Sequence, residues 1–118
     1  METKNFSVLK IYASSTDRIG SKLLYEHIVE LAKEKGLAGA TVYRGMMGFG
    51  MSSRTISTSR FWELTEKLPV LVELLDETGR LKDFYSFIED DLEAMQKGCL
   101  VSLEPVDIML MKTGKSKD

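Results

Sequence analysis

The hydrophobic pattern of this chain predicts an α+β sandwich: a four-stranded antiparallel sheet with two helices on one face. Three observations point there. Two stretches with helical spacing, 14–35 and 77–97, are each flanked by short alternating or apolar segments, and glycine or proline stands at the joints. The resulting order, β-α-β-β-α-β, is the ferredoxin-like arrangement of two split β-α-β units.

Phe6 to Ala13 alternates as a strand, with Phe6, Val8 and Tyr12 on one face and Ser7, Leu9, Ile11 and Ala13 on the other. Ser14, Ser15, Thr16 and Asp17 offer N-cap oxygens for a helix running to about Lys35. Its inner line is Leu24, Ile28, Leu31 and Lys35, flanked by Tyr25, Val29 and Ala32, and Gly36 stands where a helix takes positive φ at its end. Ala40 to Arg44 carries the Thr, Val and Tyr of a second strand. Pro69 opens a third, Val70 to Leu75, because proline is tolerated at a strand's first residue. Glu77 to Lys97 spaces Leu81, Phe84, Ile88, Leu92 and Met95 as a second helix, which Gly98 ends. Leu100 to Met111 is the last strand, interrupted by Pro105. Residues 1–112 then form a single domain and 113–118 a disordered tail.

A sheet covered by helices on one face should be polar on the other. Here Val70, Leu71, Val72, Leu74 and Leu75 are apolar on both faces, as are Ile108 to Met111. An uncovered apolar face of that size is an association surface, so a homo-oligomer is expected.

With 118 residues and a net charge of −2, the chain has room for one core and lacks the basic footprint of a general nucleic-acid binder. No apolar run approaches the roughly 20 residues of a membrane span, so direct membrane insertion is not expected. The first residues show no signal-peptide apolar region, which makes the expected location cytoplasmic. The single cysteine, Cys99, excludes an intramolecular disulfide and a metal site built on cysteine pairs. One Asn and one Gln beside many Glu and Lys match the bias of thermophile proteins, with seven Met pulling the other way.

The stretch Gly39 to Gly50 holds four glycines in twelve residues and cannot be a stable helix. After the Ala40–Arg44 strand it reads, with the polar run Met51 to Ser59 behind it, as a long loop with short extended structure at Thr55 to Phe61, and long loops in small domains are usually functional. A phosphate-binding P-loop is excluded because no lysine follows Gly50. The dinucleotide fingerprint is excluded because Gly45, Gly48 and Gly50 have the reverse spacing and no helix follows at once. Two readings stay open. Glycine N–H groups can form an anion-binding concavity, with Arg44, Arg54 and Arg60 supplying guanidinium groups. Alternatively the glycines only permit a tight strand exit.

Other chemistry-bearing residues have plainer readings. His27 shares a helix with Glu26, Glu30 and Glu34, a solvated charged face before it is a metal site. Cys99, beside a helix C-terminus, is a small packed residue. Glu89, Asp90 and Asp91 fan outward as surface charge, and Phe61 and Trp62 anchor the far end of the loop. No catalytic arrangement and no metal site is expected; a cofactor is not specified.

The run Gly36-Leu-Ala-Gly-Ala-Thr-Val-Tyr-Arg-Gly-Met-Met-Gly-Phe-Gly50 resembles the signature of the domain of unknown function 190 family, grouped with PII-like signalling proteins. The resemblance runs from Lys10 to Met109 and includes Asp17-Arg18, Leu24-Tyr25, Leu68-Pro69 and Asp76. It implies a PII-like homotrimer with its sheets facing inward. It also implies that Gly48-Phe49-Gly50 corresponds to the PII element that helps hold an adenine nucleotide between subunits, and that the loop through Ser59 corresponds to the T-loop that reports to a partner. The chain departs from well-known PII proteins at Lys97-Gly98-Cys99, too short for their second glycine-rich loop. Met51-Ser52-Ser53-Arg54 also lacks their Arg-Gln pair, and the loop lacks their modifiable tyrosine. These departures argue against ATP held in the usual way and leave another nucleotide or a small anion. Family members often lie beside fluoride-exporter genes, which implies a membrane transport protein as partner.

The expectation is a PII-like regulatory protein that binds a small anionic ligand, an adenine nucleotide among the candidates, at subunit clefts. Arg44, Gly45, Gly48, Phe49, Gly50 and Arg54 are its candidate ligand-binding residues, and the 45–60 loop reports to the partner. The rivals are a ferredoxin-like enzyme acting on a small molecule and a purely structural oligomer. Sedimentation should give a mass several times that of one chain; a monomer would refute the argument from two-sided strands.

Overall fold

The computed structural model describes residues 5–51, 53–58 and 67–115, the segment 53–58 as backbone. The strands are β1 (Phe6–Ser14), β2 (Arg18–Ile19), β3 (Lys22–Leu23), β4 (Gly39–Arg44), β5 (Met47–Gly50), β6 (Ser53–Thr58), β7 (Pro69–Glu77) and β8 (Leu100–Pro105). Two helices, α1 (Leu24–Glu34) and α2 (Thr78–Ala94), join them. The main sheet has the order β4-β7-β1-β8, and every neighbouring pair is antiparallel. This is the predicted ferredoxin-like sandwich.

Both helices cover one face. Leu9, Ile11, Val72 and Leu74 of the central strands pack there against Leu24, Ile28, Leu81, Phe84, Ile88 and Leu92. Pairing register places three rows of side chains on the opposite face. Tyr43, Leu71, Tyr12 and Leu100 form an apolar row at one end. Thr41, Glu73, Lys10 and Ser102 form a polar middle row, and Gly39, Leu75, Val8 and Glu104 the far row. Lys10 bonds Glu104 at 2.6 Å, which raises its pKa. Tyr43 is 50% exposed and Leu100 49%, so among the described residues the apolar row is only partly covered.

Several boundaries differ from the sequence reading. The 14–17 cluster does not cap α1, which starts at Leu24. Asp17 instead accepts the Ser14 N–H through its carboxylate (2.9 Å), and its carbonyl accepts the Leu24 N–H (2.7 Å). Between them β2 and β3 pair across a turn whose Gly20 has φ +60°. The inner line of α1 is Leu24, Ile28 and Ala32; Leu31 flanks it and Lys35 is exposed, because a line of strict four-residue steps faces the sheet. Gly36 does take positive φ, +75°. α2 stops at Ala94, since Met95 turns to extended backbone and tucks its side chain against the core. The last strand ends at Pro105, which cannot donate to a ladder, so Ile108 to Met111 are outside the sheet. Their contribution to the two-sided strand argument falls away; that of β7 stands.

The glycine-rich stretch is not a structureless loop. Met47–Gly50 pairs with Ser53–Thr58 as an antiparallel hairpin, irregular between Gly48 and Gly50.

One carboxylate ties four elements together. Asp76, 3% exposed, accepts the Ala38 N–H (2.8 Å) and the Glu77 N–H (2.6 Å) and pairs with Arg80 (3.0 Å). Arg80 also donates to the carbonyls of Lys35 (2.9 Å) and Gly36 (3.3 Å), closing the end of α1. Asp76→Ala removes the shared acceptor of two part-buried backbone bonds and of Arg80 and is expected to lose about 1–3 kcal/mol in urea unfolding, while Asp83→Ala on the exposed face of α2 stays within about 0.5 kcal/mol. Equal stability of the two variants would remove Asp76 from this role.

Candidate functional site

At the sheet end remote from Asp76, β4 leaves the sheet and the hairpin folds over it. Gly45 donates its N–H to the Pro69 carbonyl (2.7 Å), carrying the β4–β7 pairing one residue past the strand. A Cβ on Gly45 would lie 2.7 Å from Pro69 Cγ, so the residue at this exit must be glycine or the proline ring must move. Leu68 is fixed from β1's side: its carbonyl accepts the Ser15 N–H (2.8 Å) and its own N–H donates to Ser15 Oγ (3.0 Å).

These constraints enclose a cavity of about 280 Å³. Its floor is the end of β1 (Tyr12 to Ser14) with Leu68, Pro69 and Val70; its roof is Gly48, Phe49, Gly50 and Met51. Gly98, Cys99 and Leu100 close one side and Lys67 another. The roof meets that side by backbone approach: a Cβ on Gly98 would fall 2.7–2.8 Å from Met51 Cβ, C and O. The walls are mostly apolar, which suits a planar or hydrophobic moiety better than a phosphate group.

Burial pushes the Cys99 thiol up, and Asp17 adds to the shift. Less thiolate is therefore present at a given pH than in a free cysteine, and nucleophilicity is low.

Of the predicted ligand-binding residues, Gly48, Phe49 and Gly50 stand together in the roof. Gly45 forms the strand exit, and Arg44, the last residue of β4, is exposed beside it. Among the described residues neither belongs to the cavity wall. Arg54 falls in β6, and its side chain lies outside the described residues, as do Arg60, Phe61 and Trp62. His27 is half-buried on α1, and Glu30 is drawn instead to Lys22 at 2.9 Å, which lowers the Glu30 pKa. Among the described residues no group of three His, Cys, Asp or Glu is placed to hold a metal ion. Sequence reasoning missed Tyr12, Leu68, Met51 and Gly98 as cavity residues. A glycine in a three-residue joint opposite a glycine-rich segment was the available signal for Gly98.

The sequence matches the profile of DUF190, described as an uncharacterised ACR, over residues 6–108. A UPF0166 protein of Aquifex aeolicus is 33% identical over 104 residues, covering 88% of this chain and 93% of that protein. The chain belongs to the DUF190 family. A second UPF0166 protein, from Methanocaldococcus jannaschii, is 38% identical over 69 residues, 58% of this chain and 62% of that one. Both source genera fit the thermophile-like composition.

Among solved structures the chain is similar to CPII, a nitrogen regulatory PII-like protein from Thiomonas intermedia K12 bound to ADP, AMP and bicarbonate. The TM-score is 0.58 at 14% identity, covering 86% of this chain and 87% of that one. A DUF3240 family protein from Shewanella baltica OS155 matches with TM-score 0.58 and 14% identity over 96% of this chain and 100% of that one. At this identity the likeness concerns the fold, which is PII-like and ferredoxin-like. Among the described residues no helix is long and apolar enough to cross a membrane.

Alkylation of Cys99 by iodoacetamide should have a pH-rate midpoint above that of a free cysteine. A midpoint at or below the ordinary value would place the thiol outside the wall described.

Proposed function

We propose that this protein is a PII-like regulatory subunit that binds an adenine nucleotide or related small anion under the β5–β6 hairpin and signals through that hairpin. The observation that carries this reading is the placement of Gly48, Phe49 and Gly50 as the roof of a largely apolar cavity. The fold likeness to CPII, solved bound to ADP, AMP and bicarbonate, supports that choice of ligand class. A cavity of about 280 Å³ is below the usual ~300–1,000 Å³ of a small-molecule site, so it accommodates part of such a ligand. In a homotrimer with inward-facing sheets, a neighbouring subunit completes the site. The partly exposed apolar row of Tyr43, Leu71, Tyr12 and Leu100 supports that assembly.

The roles follow from position. Phe49, 71% exposed, is free to stack on a base once one enters. Arg44 at the hinge and Arg54 in the second hairpin strand are the cationic groups assigned to the anionic end. Ligand binding biases the hairpin only if its ordered and released forms differ in affinity for the ligand. The hairpin is the surface offered to a partner, for which a membrane transport protein is the candidate.

Thermal unfolding with AMP, ADP and bicarbonate tests the reading. At 100 times Kd a ligand confined to the folded state stabilises it by about 2.7 kcal/mol. Phe49→Ala should fold normally and weaken nucleotide binding by about tenfold, roughly 1.4 kcal/mol. Absence of any shift with millimolar adenine nucleotide would sink the nucleotide reading.

A further inference from the structure

The main sheet leaves two edges open among the described residues: β4 pairs only with β7, and β8 only with β1. Hydrogen bonds just past the ladders show which groups those edges present. Gly45 donates its N–H to Pro69, its opposite number in the β4–β7 register, so the alternate residues Tyr43, Thr41 and Gly39 also turn their N–H groups to β7. Ala40, Val42 and Arg44 therefore point theirs outward. The Val106 N–H goes to the Phe6 carbonyl in the same way, so Val101 and Leu103 present the outward N–H groups of β8.

We infer that β4 of one subunit pairs antiparallel with β8 of the next, Val42 opposite Val101 and Ala40 opposite Leu103, and that this brings Arg44 to the neighbour's cavity. Strand directions alternate across the four-stranded sheet, so a second sheet set beside it by rotation meets β8 with an antiparallel β4. This register continues every row of the open face. Tyr43 falls opposite Leu100 and extends the apolar row; Thr41 falls opposite Ser102, a pair able to hydrogen-bond. Gly39 falls opposite Glu104, where no side chain crowds the Lys10–Glu104 pair. The register also ends where both strands run out of donors. Pro105 has no N–H, and Ala38 opposite it already gives its own to Asp76. A two-residue shift either way would set Pro105 against Ala40 or Ala38 against Leu103, and either pairing lacks a donor. A one-residue shift would set outward groups against inward ones.

Repeated three times, the pairing closes the sheets into one ring with the helices outside and no edge left open. It also sets Ala40 and Val42 of one subunit beside Leu103 and Val101 of the other, along the groove of about 500 Å³ between β8 and Tyr85 of α2. At the far end of the pairing the next outward residues are Arg44 and Cys99. Opposed residues of an antiparallel pair project to the same face, so Arg44 of one subunit stands beside Cys99 in the other's cavity wall. In its own chain Arg44 is exposed and, among the described residues, lies outside the cavity wall, a position that this arrangement explains. The inference rests on the homotrimer and ligand site proposed above. Each cavity takes its roof from its own chain and a guanidinium for the ligand's anionic end from the next.

Disulfide trapping in a Cys99→Ser background tests the pairing, with sedimentation of the unmodified protein run first. Thr41 and Ser102 of one chain lie three strand spacings apart, about 14 Å, too far for a disulfide. Thr41→Cys together with Ser102→Cys should therefore give linked dimers and trimers on oxidation, and the two single variants co-refolded should give linked dimers only. Ala40→Pro removes an outward N–H and should raise the dissociation constant of the assembly at least tenfold, with the circular dichroism of the subunit unchanged. Titration of mixed assemblies with AMP tests Arg44. Arg44→Ala and Phe49→Ala should each weaken AMP binding alone. Co-refolded, they should regain the unmodified affinity in a fraction of sites, because some cavities then have an intact roof and a neighbour's Arg44. A trimer without the cross-link overturns the pairing, and a cross-linked trimer without that regain overturns the role of Arg44. Unmodified protein that does not bind AMP defeats the ligand reading and the role of Arg44 with it, while the cross-link still decides the pairing. A monomeric unmodified protein overturns the homotrimer and the pairing together.

Discussion

The buried carboxylate of Asp76 is the joint on which this architecture depends. Near the end of β7 it receives the amides of Ala38, just before β4, and of Glu77, just before α2, and through Arg80 it closes the end of α1. A carboxylate at 3% exposure is tolerated because its oxygens are occupied by two backbone donors and a guanidinium. Both helices and an edge strand are thereby fixed at one end of the sheet. At the other end a second buried carboxylate, Asp17, accepts the Ser14 N–H, and the hydrogen bonds of Gly45, Ser15 and Leu68 fix the backbone from which a hairpin folds over a cavity.

That division of labour links packing to function. Local opening is drawn from regions with few buried apolar contacts, and the β5–β6 hairpin has them: Met46, Met47, Phe49 and Met51 are all exposed. In the proposed function it is this hairpin, and not the core, that meets the ligand or partner. The core itself, Ile11, Val72 and Leu74 against both helices, lies beyond the cavity floor and gives the site a rigid base.

Much of this was legible in the residues. The spacing of Leu81, Phe84, Ile88 and Leu92 located α2, the apolar run after Pro69 located β7, and Gly36 marked the end of α1, because periodicity and φ preferences are local properties. The start of α1 was not legible: Asp17 is as good a helix cap in isolation as it is a turn former, and only pairing of β2 with β3 decides between them. The roof of the cavity was readable from Gly48-Phe49-Gly50, whereas its floor was not. Tyr12, Leu68 and Gly98 are far apart in sequence and meet only through sheet pairing and a close approach of Gly98 to Met51.

If Asp76 fixes one end of the sheet and the proposed ligand site lies at the other, ligand should alter backbone protection at the second end alone. Amide hydrogen exchange with and without saturating AMP or ADP tests it most directly. Increased protection is expected at Met47–Gly50 and Ser53–Thr58, with amides around Asp76, including those of Ala38 and Glu77, unchanged. Unaltered exchange in the hairpin, or a change spread evenly over both ends, would contradict it.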